Sequence, residues 1–187
     1  MQKLILASAS PRRRELLAQI TKFQVEPSLF EECAGGLSAQ DTVLAFARGK
    51  AQEVFSRFPD SLVLGADTVV AIGGTILGKP RSQEEAIHML SCLSGREHSV
   101  FTGVCLVGRG VFLDRLVETK VKFNVLSKEF ILKYVESGSP MDKAGGYGIQ
   151  DGGLVASYEG SYTNVVGLPM ETVRAMLEEG NYVETYD

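Results

Sequence analysis

The chain has 187 residues, a formal net charge of −4 at pH 7 and a hydrophobic content of 44%. This suits one compact domain or two tightly joined lobes and exceeds what a disordered chain carries. The acidic balance argues against a general nucleic-acid binder, so any anionic ligand requires positive charge gathered locally. The apolar runs 62–64 and 69–72 are far too short to cross a bilayer, and the apolar N-terminal stretch 3–7 is too short for a secretory signal. A cytoplasmic protein without membrane or nucleic-acid partners is expected. Cys33, Cys92 and Cys105 are widely spaced, form no C-x-x-C pair and have only His88 and His98 as imidazole company. That pattern predicts reduced, mostly buried thiols rather than a zinc site.

In chain order, residues 3–7 read as a buried strand. Ser10-Pro11 then supplies a helix cap and first helical position, with the helix continuing through Leu16, Leu17 and Ile20. A strand is expected near 23–25. Ser38 and Asp41 have the spacing of a capping box, and Val43, Leu44, Ala47, Ala51, Val54 and Phe55 then repeat at helical period. The runs 62–66 and 69–72 are strand-like and flank Asp67-Thr68, with a turn at Gly73-Gly74. Ser82 with Glu85 starts a helix through Leu93 that Gly95 stops. Residues 100–125 form two long strands around Gly108-Arg109-Gly110, and 127–137 form a helix ending at Gly138. The glycine-rich 143–153 segment is loop-like, 154–166 a final hairpin turning at Glu159-Gly160, and 169–179 a last helix stopped by Gly180. Interleaved strands and helices with one long hairpin predict an α/β fold, a mixed sheet flanked by helices.

Four segments carry candidate chemistry. Ser8-Ala9-Ser10-Pro11-Arg12-Arg13-Arg14 follows a strand and opens a helix, where small residues, free N–H groups and forked guanidinium donors suit a phosphate. The same residues also read as an ordinary cap followed by solvated arginines. Asp67, between two apolar runs, is costly to bury without a partner. It can orient and deprotonate water or hold a metal ion, or it can close a turn through neighbouring amides. Lys79, in Gly78-Lys79-Pro80, is a candidate phosphate cation or an ordinary loop lysine. Lys50 lies in a helix otherwise rich in Ala, Val and Phe, and is therefore paired or snorkelling. In Lys143-Ala144-Gly145-Gly146-Tyr147-Gly148-Ile149-Gln150 the glycines permit close backbone approach, Tyr147 can stack on a base and Gln150 offers a donor and an acceptor. A tight surface turn is the alternative. Glu31 and Glu32 either assist Asp67 with a cation or face solvent, and His98 reads as a satisfied structural histidine.

Taken in order, these segments resemble the Maf family of nucleotide pyrophosphatases, once described as septum-formation inhibitors. The resemblance runs from Leu6-Ala7-Ser8-Ala9-Ser10-Pro11-Arg12-Arg13 through Lys50, Gly65-Ala66-Asp67-Thr68 and Gly78-Lys79-Pro80 to Leu93-Ser94-Gly95-Arg96-Glu97-His98-Ser99-Val100-Phe101-Thr102-Gly103. It continues through Asp142-Lys143-Ala144-Gly145-Gly146-Tyr147-Gly148-Ile149-Gln150 to Asn164-Val165-Val166-Gly167-Leu168-Pro169. It implies a single Maf-like domain over 1–187, with two lobes around a deep cleft, as in inosine triphosphatases. It also implies cleavage of a nucleoside triphosphate between the α- and β-phosphates with a divalent cation, Mg²⁺ or Mn²⁺. The 143–150 segment is similar to that of the subgroup acting on dTTP and UTP.

The resemblance assigns catalytic roles to Asp67 and Lys79. Substrate-binding roles fall on Ser8, Ser10, Arg12, Arg13, Lys50, Thr68 and Gln150, and metal-binding roles on Glu32 and Asp67. A homodimer is a family-level expectation. Gly49, Gly146 and Asp151 depart from the family pattern, where alanine, a larger residue or alanine, and glycine are usual. The first is expected to cost helix stability, the others to alter loop mobility and base preference. A purine-directed house-cleaning triphosphatase and a nucleotide-binding regulator of cell division are the competing readings.

Overall fold

The computed structural model describes residues 2–33 and 35–182. The strands of the described residues, β1 (Leu4–Leu6), β2 (Gln24–Val25), β3 (Leu62–Ile72), β4 (Thr75–Leu77), β5 (Glu97–Gly108), β6 (Val111–Phe123) and β7 (Val155–Glu159), form one seven-stranded sheet in the order β2-β1-β3-β5-β6-β7, with β4 paired to β3 off this path. Two compact units divide the chain. One takes the described residues of Met1–Asp67, Thr102–Val117 and Gly167–Asp187, and the other takes Thr68–Phe101 and Glu118–Val166.

In the first unit, strand β1 (Leu4–Leu6) is buried along its whole length and pairs in parallel with β2 (Gln24–Val25) and with β3 (Leu62–Ile72). A short apolar run buried on both faces is what a parallel strand requires. Helix α1 (Pro11–Leu17) starts as its sequence predicts, with Ser10 accepting from the Arg13 backbone N–H, and it buries Leu17. Helix α2 (Ala39–Arg57) is capped in the same way by Ser38. It presses closely on two glycines. A Cβ at Gly65 would stand 2.4 Å from the Ala47 carbonyl oxygen, and one at Gly103 would stand 2.3 Å from that of Val43. Only residues without side chains admit this approach of helix backbone to strand. Helix α6 (Met170–Glu179), stopped at Gly180, lays Met170, Val173, Met176 and Leu177 on a core of Leu4, Leu6, Leu17, Leu62, Leu64 and Leu106.

The second unit contains the end of β3, β4 (Thr75–Leu77) and helix α3 (Gln83–Leu93), which Ser82 caps. It also takes the first part of β5 (Glu97–Gly108) and the last part of β6 (Val111–Phe123). Helix α4 (Lys128–Glu136), β7 (Val155–Glu159) and helix α5 (Tyr162–Val166) complete it. Leu90, Leu93, Val121, Phe123, Ile131 and Leu154 are central to its core. The predicted long hairpin about Gly108-Arg109-Gly110 is β5–β6.

Three expectations are corrected. The runs 62–66 and 69–72 are one strand, and Asp67 lies inside it rather than in a turn between two. An ionic partner, described below, lets a carboxylate sit there without breaking the ladder. The final hairpin has only its first strand, which pairs antiparallel with β6. Its second half is helix α5, because the Ser161 hydroxyl accepts from the Asn164 backbone N–H at 3.2 Å as a cap. The buried Asn164 amide then donates to the Val100 carbonyl and the Thr119 hydroxyl, at 3.1 and 3.0 Å. Finally, the glycine-rich segment is no loose loop. It holds two short 3-10 turns, Ser139–Asp142 and Ala144–Gly146, and residues 145–148 are buried.

Candidate active site

Strand β1 delivers Ser8 and Ser10 to the start of α1. The Ser8 hydroxyl is buried and accepts from Arg13 Nη1 at 3.2 Å and from the Ser10 backbone N–H at 3.3 Å. Arg13 Nε donates to the Gly167 carbonyl at 2.8 Å. Arg13 is therefore a clamped, half-buried guanidinium, and the solvated-arginine reading does not describe it. Burial presses its pKa downward, and the negative charge of Asp67 works against that pressure. An arginine nonetheless keeps its proton, so a fixed positive charge stands in this unit. Arg12 is half-buried and adds to the same field.

Asp67 is 8% exposed. Lys50 reaches it from α2, donating from Nζ to Oδ1 at 2.7 Å, and lies 2.6 Å from Glu32 Oε1. Lys50 was expected to be paired or snorkelling; it is paired twice. Burial raises the pKa of Asp67 above the usual carboxylate range. The charge and hydrogen bond of Lys50 and the charge of Arg13 oppose this, while Glu32 adds to it. A carboxylate in this setting is weakly solvated and paired with an ammonium, and its basicity is raised by burial.

Glu32 and Asp67 converge on one ammonium, so their oxygens are arranged about a cation. Carboxylate oxygen is the donor that hard divalent ions prefer, and Mg²⁺ commonly uses one or two carboxylates with water and phosphate oxygens. The pair fits such an ion. No group of three or more His, Cys, Asp or Glu side chains converges among the described residues.

The remaining predicted site residues belong to the second unit. Thr68, next to Asp67 in β3, is half-buried, Lys79 follows β4 and is exposed, and Gln150 is exposed. Tyr147 does not offer its ring for stacking. It is 5% exposed, packs edge-on against Phe123 and His98 at centroid distances of 4.7 and 5.4 Å, and bonds His98 Nε2 through its hydroxyl at 2.7 Å. An aromatic among glycines reads alike whether it faces out or in, and the core of this unit takes it. His98 is thus packed in the core as expected, but it is not fully satisfied, since its buried Nδ1 has no hydrogen-bond partner among the described residues; burial holds its pKa down at about 4.

Sequence reasoning missed Tyr134 and Ser139, both of which bond Asp151 beside Gln150. Their partners are distant enough in sequence that no local motif announces them.

The first unit thus pairs Lys50 with the buried Asp67 carboxylate, and the clamped Arg13 acts on that carboxylate through its charge. Residues 3–180 match the family model described as Maf-like protein. The chain belongs to this family. A dTTP/UTP pyrophosphatase of Thermococcus kodakarensis is 49% identical over 181 residues, spanning 95% of this chain and 96% of its own. A dTTP/UTP pyrophosphatase of Myxococcus xanthus is 51% identical over 179 residues, spanning 94% and 91% respectively. Another, of Symbiobacterium thermophilum, is 49% identical over 186 residues, spanning 97% and 96%.

Proposed function

We propose that this chain hydrolyses dTTP and UTP to the nucleoside monophosphate and pyrophosphate, with Asp67 as the general base. The observation that carries the reading is the buried Asp67 carboxylate paired with Lys50 at 2.7 Å, with Arg13 fixed in the same unit. The names of relatives at about half identity over nearly the whole chain supply the substrate class.

In this reading Asp67 takes a proton from water, and the oxygen so activated attacks the α-phosphorus. The bond from that phosphorus to the bridging oxygen breaks, and pyrophosphate leaves. Arg12, Arg13 and Lys79 meet the triphosphate oxygens, with Ser8, Ser10 and Thr68 as hydroxyl partners. Such donors count most where charge develops in the transition state. Lys50 orients Asp67 and keeps it from holding its own proton. A divalent cation, Mg²⁺ or Mn²⁺, held by Glu32 and Asp67 would supply charge neutralisation of the phosphates. Gln150 reads the base: its N–H donates to O4 of uracil or thymine, and its C=O accepts from N3–H. Among the described residues no helix is long and apolar enough to cross a membrane. A cytoplasmic place of action is part of this reading, although the thiols are not mostly buried as expected: Cys33 is exposed, Cys92 half-buried and Cys105 buried.

The test is a panel of dTTP and the four ribonucleoside triphosphates with products identified. Monophosphate plus pyrophosphate, with dTTP and UTP ahead of CTP, ATP and GTP in kcat/KM, is expected. Release of orthophosphate, or a purine ranked first, would overturn the reading; binding without turnover would favour a regulator.

A further inference from the structure

Residues 148–151 form a closed turn. The Asp151 backbone N–H donates to the Gly148 carbonyl at 3.0 Å. At the other end, the Gly148 backbone N–H donates to the Tyr134 hydroxyl at 3.2 Å, and that hydroxyl donates to Asp151 Oδ2 at 2.6 Å. One tyrosine thus ties the first residue of the turn to the last, with Gln150 between them. The same carboxylate oxygen accepts from the Ser139 hydroxyl at 2.8 Å. Ser139 in turn accepts from Lys143 Nζ, at 2.6 Å on its carbonyl and 3.1 Å on its hydroxyl. The Lys143 side chain is only 12% exposed, so its positive charge is held close to this network.

Gly148 is where the parts meet. A Cβ there would stand 2.9 Å from Asp151 Oδ2 and 3.1 Å from Gln150 Cδ. The Gln150 side chain therefore folds back over Gly148, alongside the carboxylate that closes the turn. An amide has two faces that differ by a flip: one order of donor and acceptor fits the uracil or thymine edge, and the reverse fits cytosine. A turn held at both ends confines the backbone from which that amide is hung, and so limits how it meets a base.

We propose that Asp151 is the positioning residue for base selection: its carboxylate, bonded by Tyr134 and Ser139, locks the 148–151 turn and thereby the bearing of the Gln150 amide. A glycine at position 151 could make neither of these carboxylate bonds. The proposal rests on the reading of Gln150 as the base-reading residue.

The experiment measures kcat and KM for UTP, dTTP and CTP in the parent, Asp151→Gly, Asp151→Asn, Tyr134→Phe and Gln150→Glu. The ratio of kcat/KM for UTP to that for CTP cancels the fraction of folded enzyme, so loss of stability alone leaves it unmoved. Asp151→Gly is expected to lower the ratio about tenfold, mainly through KM for UTP, since roughly one matched hydrogen bond is lost. Tyr134→Phe is expected to lower it in the same direction, and Asp151→Asn, which keeps one acceptor, to recover part of it. Should Asp151→Gly give no soluble enzyme, Tyr134→Phe and Asp151→Asn carry the comparison. An unchanged ratio in the Asp151 and Tyr134 variants, with a reduced one in Gln150→Glu, overturns the proposal and leaves Gln150 as the reader. An unchanged ratio in Gln150→Glu overturns both.

Discussion

Asp67 and Lys50 are the residues on which the chemistry turns, and each makes a separate prediction. Asp67→Asn keeps the shape of the side chain and the strand around it, but removes the base. Turnover is expected to fall roughly 10²–10⁴-fold, measured as kcat on UTP with folding checked by circular dichroism. Near-parental kcat would remove Asp67 from the mechanism. Lys50→Met tests the electrostatics. Burial already raises the Asp67 pKa, and Lys50 is the largest influence opposing it. Without that ammonium the pKa moves further up. Activity needs the ionised carboxylate and is lost as pH falls through its pKa, so the acid limb of the kcat/KM profile is expected at higher pH in Lys50→Met. A limb that stays in place, whatever the height of the profile, would separate Lys50 from Asp67 in function.

At this scale the sequence was legible where a residue type constrains its surroundings. A lysine in an apolar helix must find an anion or water, and an aspartate between strands must find a cation. Pairing the two required the fold, because 17 positions separate them. The fate of Tyr147 was not legible, since nothing local states which way a ring faces.

Among the elements, helix starts were the most readable, because a cap is a local event. Ser10, Ser38 and Ser82 each accept from the backbone N–H three residues on, as their spacing predicts. The helix over 162–166 was hidden for the opposite reason: its cap, Ser161, follows a glycine that also suits a hairpin turn, and the buried bonds of Asn164 decide between the two.

At Gly49 helix propensity and packing point in opposite directions, and packing reverses the sign expected from propensity alone. A glycine in the middle of α2 costs about 1 kcal/mol of helix propensity relative to alanine. A Cβ there, however, would stand 2.4 Å from the Phe30 ring. Gly49→Ala is therefore expected to lose stability by about 1–2 kcal/mol despite the better helix former, as overpacking exceeds propensity. Combined with Phe30→Ala, the alanine is expected to become stabilising relative to Phe30→Ala alone. Chemical denaturation of the four proteins in this cycle gives the coupling, and simple additivity would show that the ring yields freely. Gly65→Ala has no such escape, because the obstacle is the backbone of α2. A loss of a few kcal/mol and a lower Tm are expected.

For the molecule as a whole, pH dependence of stability has a clear contribution from His98. Its ordinary pKa is 6.5, and the folded protein holds it at about 4. Above 6.5 the ring is neutral in both states and its contribution to stability is fully present. As pH falls from 6.5 toward about 4, the unfolded chain takes up a proton that the folded one refuses, so stability declines, by about 3 kcal/mol across the window. His98→Gln is expected to flatten this slope even though it weakens the protein at neutral pH. Urea midpoints measured across the window for parent and variant check it, and parallel slopes would place the acid sensitivity elsewhere.

The make-up of the first unit has a consequence for how the protein is born. Its core joins Leu4 and Leu6 to Leu62 and Leu64, to Val104 and Leu106, and finally to Leu168, Met170, Val173 and Leu177. During synthesis the first 67 residues emerge early, yet their apolar surface waits for the last helix to be made. Every residue of the second unit, from Thr68 to Val166, leaves the ribosome before that helix does. Distant partners of this kind slow folding, because loop closure precedes the contacts that reward it. Nascent chains are thus exposed to aggregation and to chaperones until α6 has emerged. The stretch that completes the core arrives after the whole of the second unit, so a stop codon after Val166 should leave a chain whose first 67 residues are digested by protease, while the 187-residue chain resists.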